Sequence, residues 1–243
     1  NLGILEGGTR VIVLGANIRD TKEIKCRFGE NIVPGNYINE TSVWCIAPAG
    51  AALGPVDFGL ATEGNHFSAG NVQYTYIKTP TISTVTPACG PTTGGTQIAL
   101  TGSDFVYTGF NKVSCIFGDQ IWQPATVISE SLIYCESPVM PDYYGADETN
   151  PSATHVKISL NGVEVFDSGV VFTYYDPPVV ASITPEIGPL EGDTLVTIIG
   201  QNFGNSCDIR CRFATYEAPA TLNEEGNIQC KSPAVAGPGE SLV

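Results

Sequence analysis

The feature that most constrains this chain is an internal repeat that occurs three times along its 243 residues. The stretches GGTRVIVLGANI (7–18), GGTQIALTGSDF (94–105) and GDTLVTIIGQNF (192–203) share one pattern. In each copy the second and fourth residues after the threonine are apolar, and a Gly-x-Asn or Gly-x-Asp step follows. Apolar residues at a spacing of two predict a strand with one buried face, and the step after them predicts the turn that ends it. The repeat predicts a chain built from similar units.

The three copies remain aligned beyond this opening pattern. Each has a cysteine in a short apolar segment and a second cysteine 19 or 20 residues later, in CRFG/VWCIAP, CIFG/IYCESP and CRFA/IQCKSP. A closing strand follows in the first two copies, as VQYTY (72–76) and VVFTY (170–174). We predict domains at residues 1–78, 79–176 and 177–243, of which the first lacks its opening strand and the third its closing strands. Either the chain is a piece of a longer array or neighbouring subunits donate strands, and the first explanation is favoured.

Composition narrows the class of protein. With 27 glycines, 17 prolines and strand-like periodicity, the chain is predicted to be all-β. The formal net charge of −14 opposes contact with a phosphate backbone, so no nucleic-acid partner is expected. No apolar run approaches the roughly 20 residues that cross a bilayer, so we expect membrane attachment only through segments outside this chain.

The ordered motifs ITP-x-x-GP, G-(G/D)-T, G-x-(N/D)-F, C-x-F-G, C-x-S-P and F-T-Y resemble the IPT/TIG domain, an immunoglobulin-like fold. This family occurs in plexins, growth-factor receptors of the Met type, fibrocystin-like proteins and some transcription factors. The resemblance covers essentially the whole chain. It implies immunoglobulin-like β-sandwiches placed end to end, with no catalytic residues and no cofactor. The paired cysteines and acidic charge favour the extracellular, receptor-like branch of the family over the DNA-binding branch.

The cysteines allow three chemistries, of which one fits. Structural zinc needs four ligands at close spacing, and a redox couple of the common type needs C-x-x-C, but each repeat has only one recurrent pair. We therefore predict one disulfide per domain, which also favours an extracellular or secretory location. The leftover cysteines are predicted to form an interdomain bridge; a crosslink to another chain, or a local Cys207–Cys211 bridge with reshuffled pairing, are the alternatives. The predicted pairs are Cys26–Cys45, Cys115–Cys135, Cys211–Cys230 and Cys89–Cys207.

Three further sequence features bear on function. Asn39 opens the sequon NET and is predicted to be N-glycosylated. Tyr143 and Tyr144 lie in an insertion that no repeat requires, which makes that loop a possible partner-binding site. Asp142 and its acidic neighbours in the same loop lack a D-x-D-x-D-G series, so a solvated loop is favoured over a calcium site and no metal is predicted.

These observations predict a non-enzymatic extracellular structural or adhesion protein, a segment of a rigid stalk or filament that contacts protein partners, possibly further copies of itself. The ectodomain of a plexin-like or fibrocystin-like receptor is the alternative. An accessory module of a secreted carbohydrate-active enzyme is the second alternative.

Overall fold

A computed structural model describes residues 2–68, 71–106, 112–140, 152–203 and 209–234. Every regular element in these residues is a β-strand, and none is a helix. The predicted all-β class is confirmed.

The first repeat forms a sandwich from one folded sheet. Its strands are β1 (Leu2–Ile4), β2 (Arg10–Leu14), β3 (Lys25–Phe28), β4 (Asn31–Asn39), β5 (Ser42–Ile46), β6 (Gly54–Ala61) and β7 (Gln73–Ile77). They are hydrogen-bonded in the order β1-β7-β6-β3-β4-β5-β2. Strand β4 pairs with β3 through its first half and with β5 through its second half. Val11 on β2 and Tyr74 on β7 belong to one core cluster, so strands from opposite sides of the sheet order enclose the same interior.

The second repeat has the same arrangement of strands. Its strands are β8 (Thr81–Thr86), β9 (Cys89–Pro91), β10 (Gln97–Ser103), β11 (Ser114–Phe117), β12 (Ile121–Ser129), β13 (Leu132–Glu136), β14 (Ala153–Ser159) and β15 (Val171–Tyr175). The long strand β12 passes from β11 to β13, as β4 passes from β3 to β5. The short strand β9 pairs parallel with β15, as β1 does with β7.

The third repeat contributes β16 (Val179–Thr184), β17 (Leu195–Gln201), β18 (Arg210–Phe213), β19 (Tyr216–Leu222) and β20 (Ile228–Lys231). Their order is β16-β17-β20-β19-β18. Strand β16 pairs antiparallel with β17, just as β8 pairs with β10.

The first repeat has no counterpart of β8 or β16 among its described residues, so β2 stands at the end of its sheet. A groove beside β2 is consequently lined by apolar side chains, among them Val11, Val13, Phe58, Leu60 and Tyr74. That the first domain lacks an opening strand stays a prediction.

By compactness the chain divides into two units. The first contains residues 1–86, 97–136 and 155–171, and the second contains residues 87–96, 137–154 and 172–243. The division runs through the second repeat, so the domain boundaries after residues 78 and 176 remain predictions.

Aromatic side chains fill much of the first core. Phe28 meets Phe58 and Tyr74 edge to face, with ring centroids 5.1 and 5.0 Å apart, and Tyr74 meets Tyr76 in the same way at 5.0 Å. Such pairs add about 0.5–1.5 kcal/mol each beyond the burial of their area. The Tyr76 hydroxyl also donates to the Pro48 carbonyl at 2.9 Å, which ties the closing strand to the segment after the second cysteine.

Backbone conformation explains two of the repeated motifs. Most side chains avoid positive φ, which glycine tolerates best and asparagine and aspartate better than other residues. The G-(G/D) pair before each threonine has positive φ at both residues. The Asn or Asp of each G-x-(N/D) step does so as well, at Asn17 (56°), Asp104 (60°) and Asn202 (63°).

Candidate functional site

A buried disulfide joins two strands in each repeat. The pairs are Cys26–Cys45 (β3 to β5), Cys115–Cys135 (β11 to β13) and Cys211–Cys230 (β18 to β20), with Cα atoms 6.5, 6.4 and 6.4 Å apart. These are the three pairs that the repeat predicts. Each cysteine is at most 6% exposed. The long strand β4, or its equivalent, pairs with both of the bonded strands and crosses from one layer of the sandwich to the other. Each disulfide therefore joins the two layers at this crossing.

The fourth predicted disulfide involves a residue that the structure does not describe. Cys89 is disulfide-bonded and almost fully buried. Cys207 lies outside the described residues. The Cys89–Cys207 bridge therefore remains a prediction.

Asn39 lies at the exposed turn between β4 and β5. Its side-chain Oδ1 accepts hydrogen bonds from the Thr41 backbone N–H at 2.9 Å and from the Thr41 hydroxyl at 2.8 Å. The first bond forms an Asx turn, and both bonds engage the oxygen of the amide. The residue is therefore presented on the surface by a defined turn, as a glycan acceptor needs, and its modification remains a prediction.

The predicted partner-binding residues Tyr143 and Tyr144, together with Asp142 and its acidic neighbours, lie outside the described residues. Within the described ranges, no group of three or more His, Cys, Asp or Glu side chains is arranged to hold a metal ion. Those ranges also contain no helix long and apolar enough to cross a membrane.

A charged cluster on the second repeat surrounds one of the two histidines. Lys157 Nζ lies 2.8 Å from Asp119 Oδ1 and 3.4 Å from Asp167 Oδ2, and His155 Nδ1 lies 3.5 Å from Asp167 Oδ1. The hydrogen bond to Asp119 raises the pKa of Lys157. Partial burial alone would raise the pKa of Asp167, but the backbone N–H of Gly169 and the side chains of His155 and Lys157 lower it below its ordinary value. The cluster is an ion-pair network centred on Lys157 and Asp167.

The outward face of β2 and β5 distinguishes the first repeat. Ile12 is 52% exposed and Ile46 43% exposed, and the Arg10 guanidinium stacks over the Trp44 ring at 4.6 Å. In the register of the strands, Arg10 lies opposite Ile46 and Ile12 opposite Trp44. The equivalent pairs are Gln97–Glu136 and Ala99–Tyr134 in the second repeat, and Leu195–Lys231 and Thr197–Gln229 in the third.

Sequence reasoning missed one constellation of side chains. Asn161 and Glu164, in the loop after β14, make hydrogen bonds to Leu2 and Thr9 of the first repeat. The only local signal is the Asn-Gly step at residues 161–162, which predicts a turn but not its partner.

These folds and disulfides define a class of protein, an array of immunoglobulin-like β-domains that each contain an internal disulfide. The model of the IPT/TIG domain family matches residues 2–76, 80–174 and 178–243. The chain therefore belongs to the IPT/TIG domain family, and the predicted tandem organisation is confirmed.

Plexins are among the similar proteins. Mouse plexin-A3 is 26% identical over 247 residues, covering 96% of this chain and 13% of its own length. Human plexin-A2 is 32% identical over 208 residues, covering 81% of this chain and 10% of its own length. The solved structure of the full extracellular region of plexin A4 superposes with a TM-score of 0.50 at 20% identity, over 98% of this chain and 20% of that one. The chain thus spans about a tenth of the length of the curated relatives it matches.

Proposed function

We propose that this chain is a non-enzymatic segment of the extracellular region of a plexin-like cell-surface receptor, in which its three repeats space other parts of the receptor. The observation that carries this proposal is the extent of the similarity to plexin-A3. The alignment runs over 96% of the chain and therefore includes all three repeats in one order. A shared fold alone would not require this agreement along the whole array.

The chemistry of the chain supports this location and role. Buried disulfides persist in oxidising compartments and are rare in the cytosol. Each bond also holds the strands of a repeat together. Such rigidity suits a domain that acts as a spacer and not as a catalyst. The formal charge of −14 keeps such a segment soluble and repels other copies of itself.

The stalk or filament hypothesis differs from the receptor hypothesis in a measurable way. A filament subunit must self-associate, and the open edge of β2 gives a possible place for strand pairing. A receptor spacer is expected to remain monomeric in solution. The accessory module of a carbohydrate-active enzyme would instead be recovered with a catalytic domain in the same polypeptide.

Two measurements test the proposal. An antibody raised against the chain is applied to intact and to permeabilised cells that express the full-length protein, and sedimentation equilibrium is measured on the purified 243-residue chain. We expect labelling of intact cells, retention of the protein with the membrane fraction after washing in high salt, and a monomer at every concentration. Release of the full-length protein into the medium, or growth of the purified chain into fibres, would overturn the receptor proposal.

A further inference from the structure

The loop after β14 has a shape fixed by its own hydrogen bonds. Asn161 Oδ1 accepts the backbone N–H groups of Val163 and Glu164, both at 2.9 Å, and Ser159 Oγ accepts the N–H of Gly162 at 3.0 Å. Gly162 has a φ of +74°, which a turn of this kind requires. The loop therefore presents its side chains in a defined geometry.

Two side chains of this loop reach the first repeat. Asn161 Nδ2 donates to the backbone carbonyl of Leu2 at 3.1 Å and to Glu164 Oε2 at 3.0 Å. The Thr9 hydroxyl donates to Glu164 Oε1 at 2.6 Å. Both carboxylate oxygens of Glu164 are thus engaged, one within the loop and one across the joint between the repeats.

The receiving surface is buried and closely fitted. Thr9 is 2% exposed and Leu2 4% exposed. A Cβ atom placed on Gly3 would overlap the side chains of Thr9 and Tyr74, so glycine is required for these side chains to occupy their positions. Burial raises the pKa of the Tyr74 phenol, and the charge of Glu164 adds to the shift in the same direction. A hydrogen bond to a carboxylate that is partly shielded from water is stronger than one that is fully exposed.

The equivalent threonine of the third repeat provides a comparison. Thr194 packs against Gly188 as Thr9 packs against Gly3. Of the equivalent threonines Thr9, Thr96 and Thr194, only Thr9 has a hydroxyl bonded to a carboxylate in the parts of the chain that the structure describes. The Gly–Thr pair therefore belongs to the general construction of the domain, whereas the bond to Glu164 is specific to this joint.

We propose that the loop at residues 161–164 fixes the orientation of the first repeat on the second, with Glu164 accepting from Thr9 and Asn161 anchoring the backbone at Leu2. The inference is independent of the receptor proposal, because a spacer, a stalk and a filament would each need a fixed joint. It assigns a positioning role to two residues that no repeat motif contains.

Residual dipolar couplings of the intact chain, aligned in a dilute liquid crystal, test this role. In the wild type, one alignment tensor should fit the amides of both repeats. In Thr9→Val and in Glu164→Ala, the couplings of the first repeat should fall to about half or less relative to those of the second, because the joint becomes mobile. The double variant should lose no more than either single variant, since both substitutions remove the same bond.

Matched variants separate the joint from the fold. Thr194→Val removes the equivalent hydroxyl from the third repeat and should leave a single tensor for the first two repeats. Asn161→Asp keeps the oxygen that shapes the loop but removes the donor to Leu2, so it should loosen the joint while the chemical shifts within each repeat stay dispersed. Separate tensors for the two repeats in the wild type, or one shared tensor in both Thr9→Val and Glu164→Ala, would overturn the proposal.

Discussion

Three equivalent glycines should respond differently to the same substitution. A Cβ atom on Gly102 would overlap the backbone carbonyl oxygen of Thr81 at the start of β8, and one on Gly200 would overlap the carbonyl oxygen of Val179 at the start of β16. A Cβ atom on Gly15 would meet only the flexible end of Ile18, at 3.3 Å. Alanine should therefore be destabilising where an opening strand crosses the glycine and tolerated at Gly15.

The size of the effect follows from what each opening strand buries. Moving a packed strand to accept a methyl group costs about 1–3 kcal/mol. Complete detachment of β8 would expose Ile82 and Val85, which are 4% and 7% exposed, at about 1.5–3 kcal/mol each. We expect Gly102→Ala to cost between about 1 and 6 kcal/mol. Strand β16 is mostly exposed, so Gly200→Ala should cost less.

Gly15→Ala should change the stability of the first repeat by less than about 1 kcal/mol. The restriction of the unfolded chain contributes about 0.4–1 kcal/mol in its favour, and the contact with Ile18 offsets part of this gain. Hydrogen exchange read by mass spectrometry under non-reducing conditions measures the opening free energy of each repeat separately.

A strand graft provides the control. Strands β1 and β9 have equivalent places, each parallel to a closing strand, so replacing Asn1 by the sequence of residues 81–88 should supply a strand of the β8 type beside β2. In that extended chain, Gly15→Ala should become costly by at least about 1 kcal/mol. A neutral Gly102→Ala, or a Gly15→Ala that is equally damaging with and without the graft, would contradict this expectation.

Three further sets of substitutions test the turn, the disulfide and the sequon. Ala214 has a φ of +52° where the other two repeats have glycine, so Ala214→Gly should stabilise the third repeat by roughly 0.5–1 kcal/mol in hydrogen exchange, and Gly118→Ala should do the reverse to the second. Replacing Cys115 and Cys135 together by alanine opens a loop of 20 residues and should lower the unfolding free energy of the second repeat by about 3 kcal/mol in urea titration; an unchanged midpoint would contradict this. Asn39→Gln should abolish the loss of mass that glycosidase treatment causes in material secreted by eukaryotic cells, and an unchanged loss would place the glycan elsewhere.

The alternation of apolar residues predicted the buried strand faces well. Val11, Ile98 and Val196, which share one repeat position, are 6%, 0% and 5% exposed. Phe28 and Phe117, which both lie two residues after the first cysteine of their repeats, are also buried. These features were predictable because strand periodicity is local and each unit repeats it, so three copies reinforce one pattern.

The joint between the first two repeats could not be predicted in this way. Thr9 and Glu164 are 155 positions apart, and their bond depends on where the loop at residues 161–164 is carried by the whole second repeat. Neither residue type signals its partner, because Thr9 is part of a motif found in every copy. The role of Gly102 was hidden for a related reason, since its neighbour Thr81 comes from a strand that precedes the motif in sequence.

The location of the constraints indicates where the repeats are able to differ from one another. All three copies share positive φ at the G-(G/D) pair and buried cysteines. These positions therefore identify the family and do not distinguish one repeat from another. The outward pairs on neighbouring strands are free of both constraints, and there Ile12–Trp44 is replaced by Thr197–Gln229. Such substitutions leave the sandwich intact while changing the surface from apolar to polar. What separates one repeat from another must therefore be sought on these faces and at the joints, and not at the disulfides that make the family recognisable.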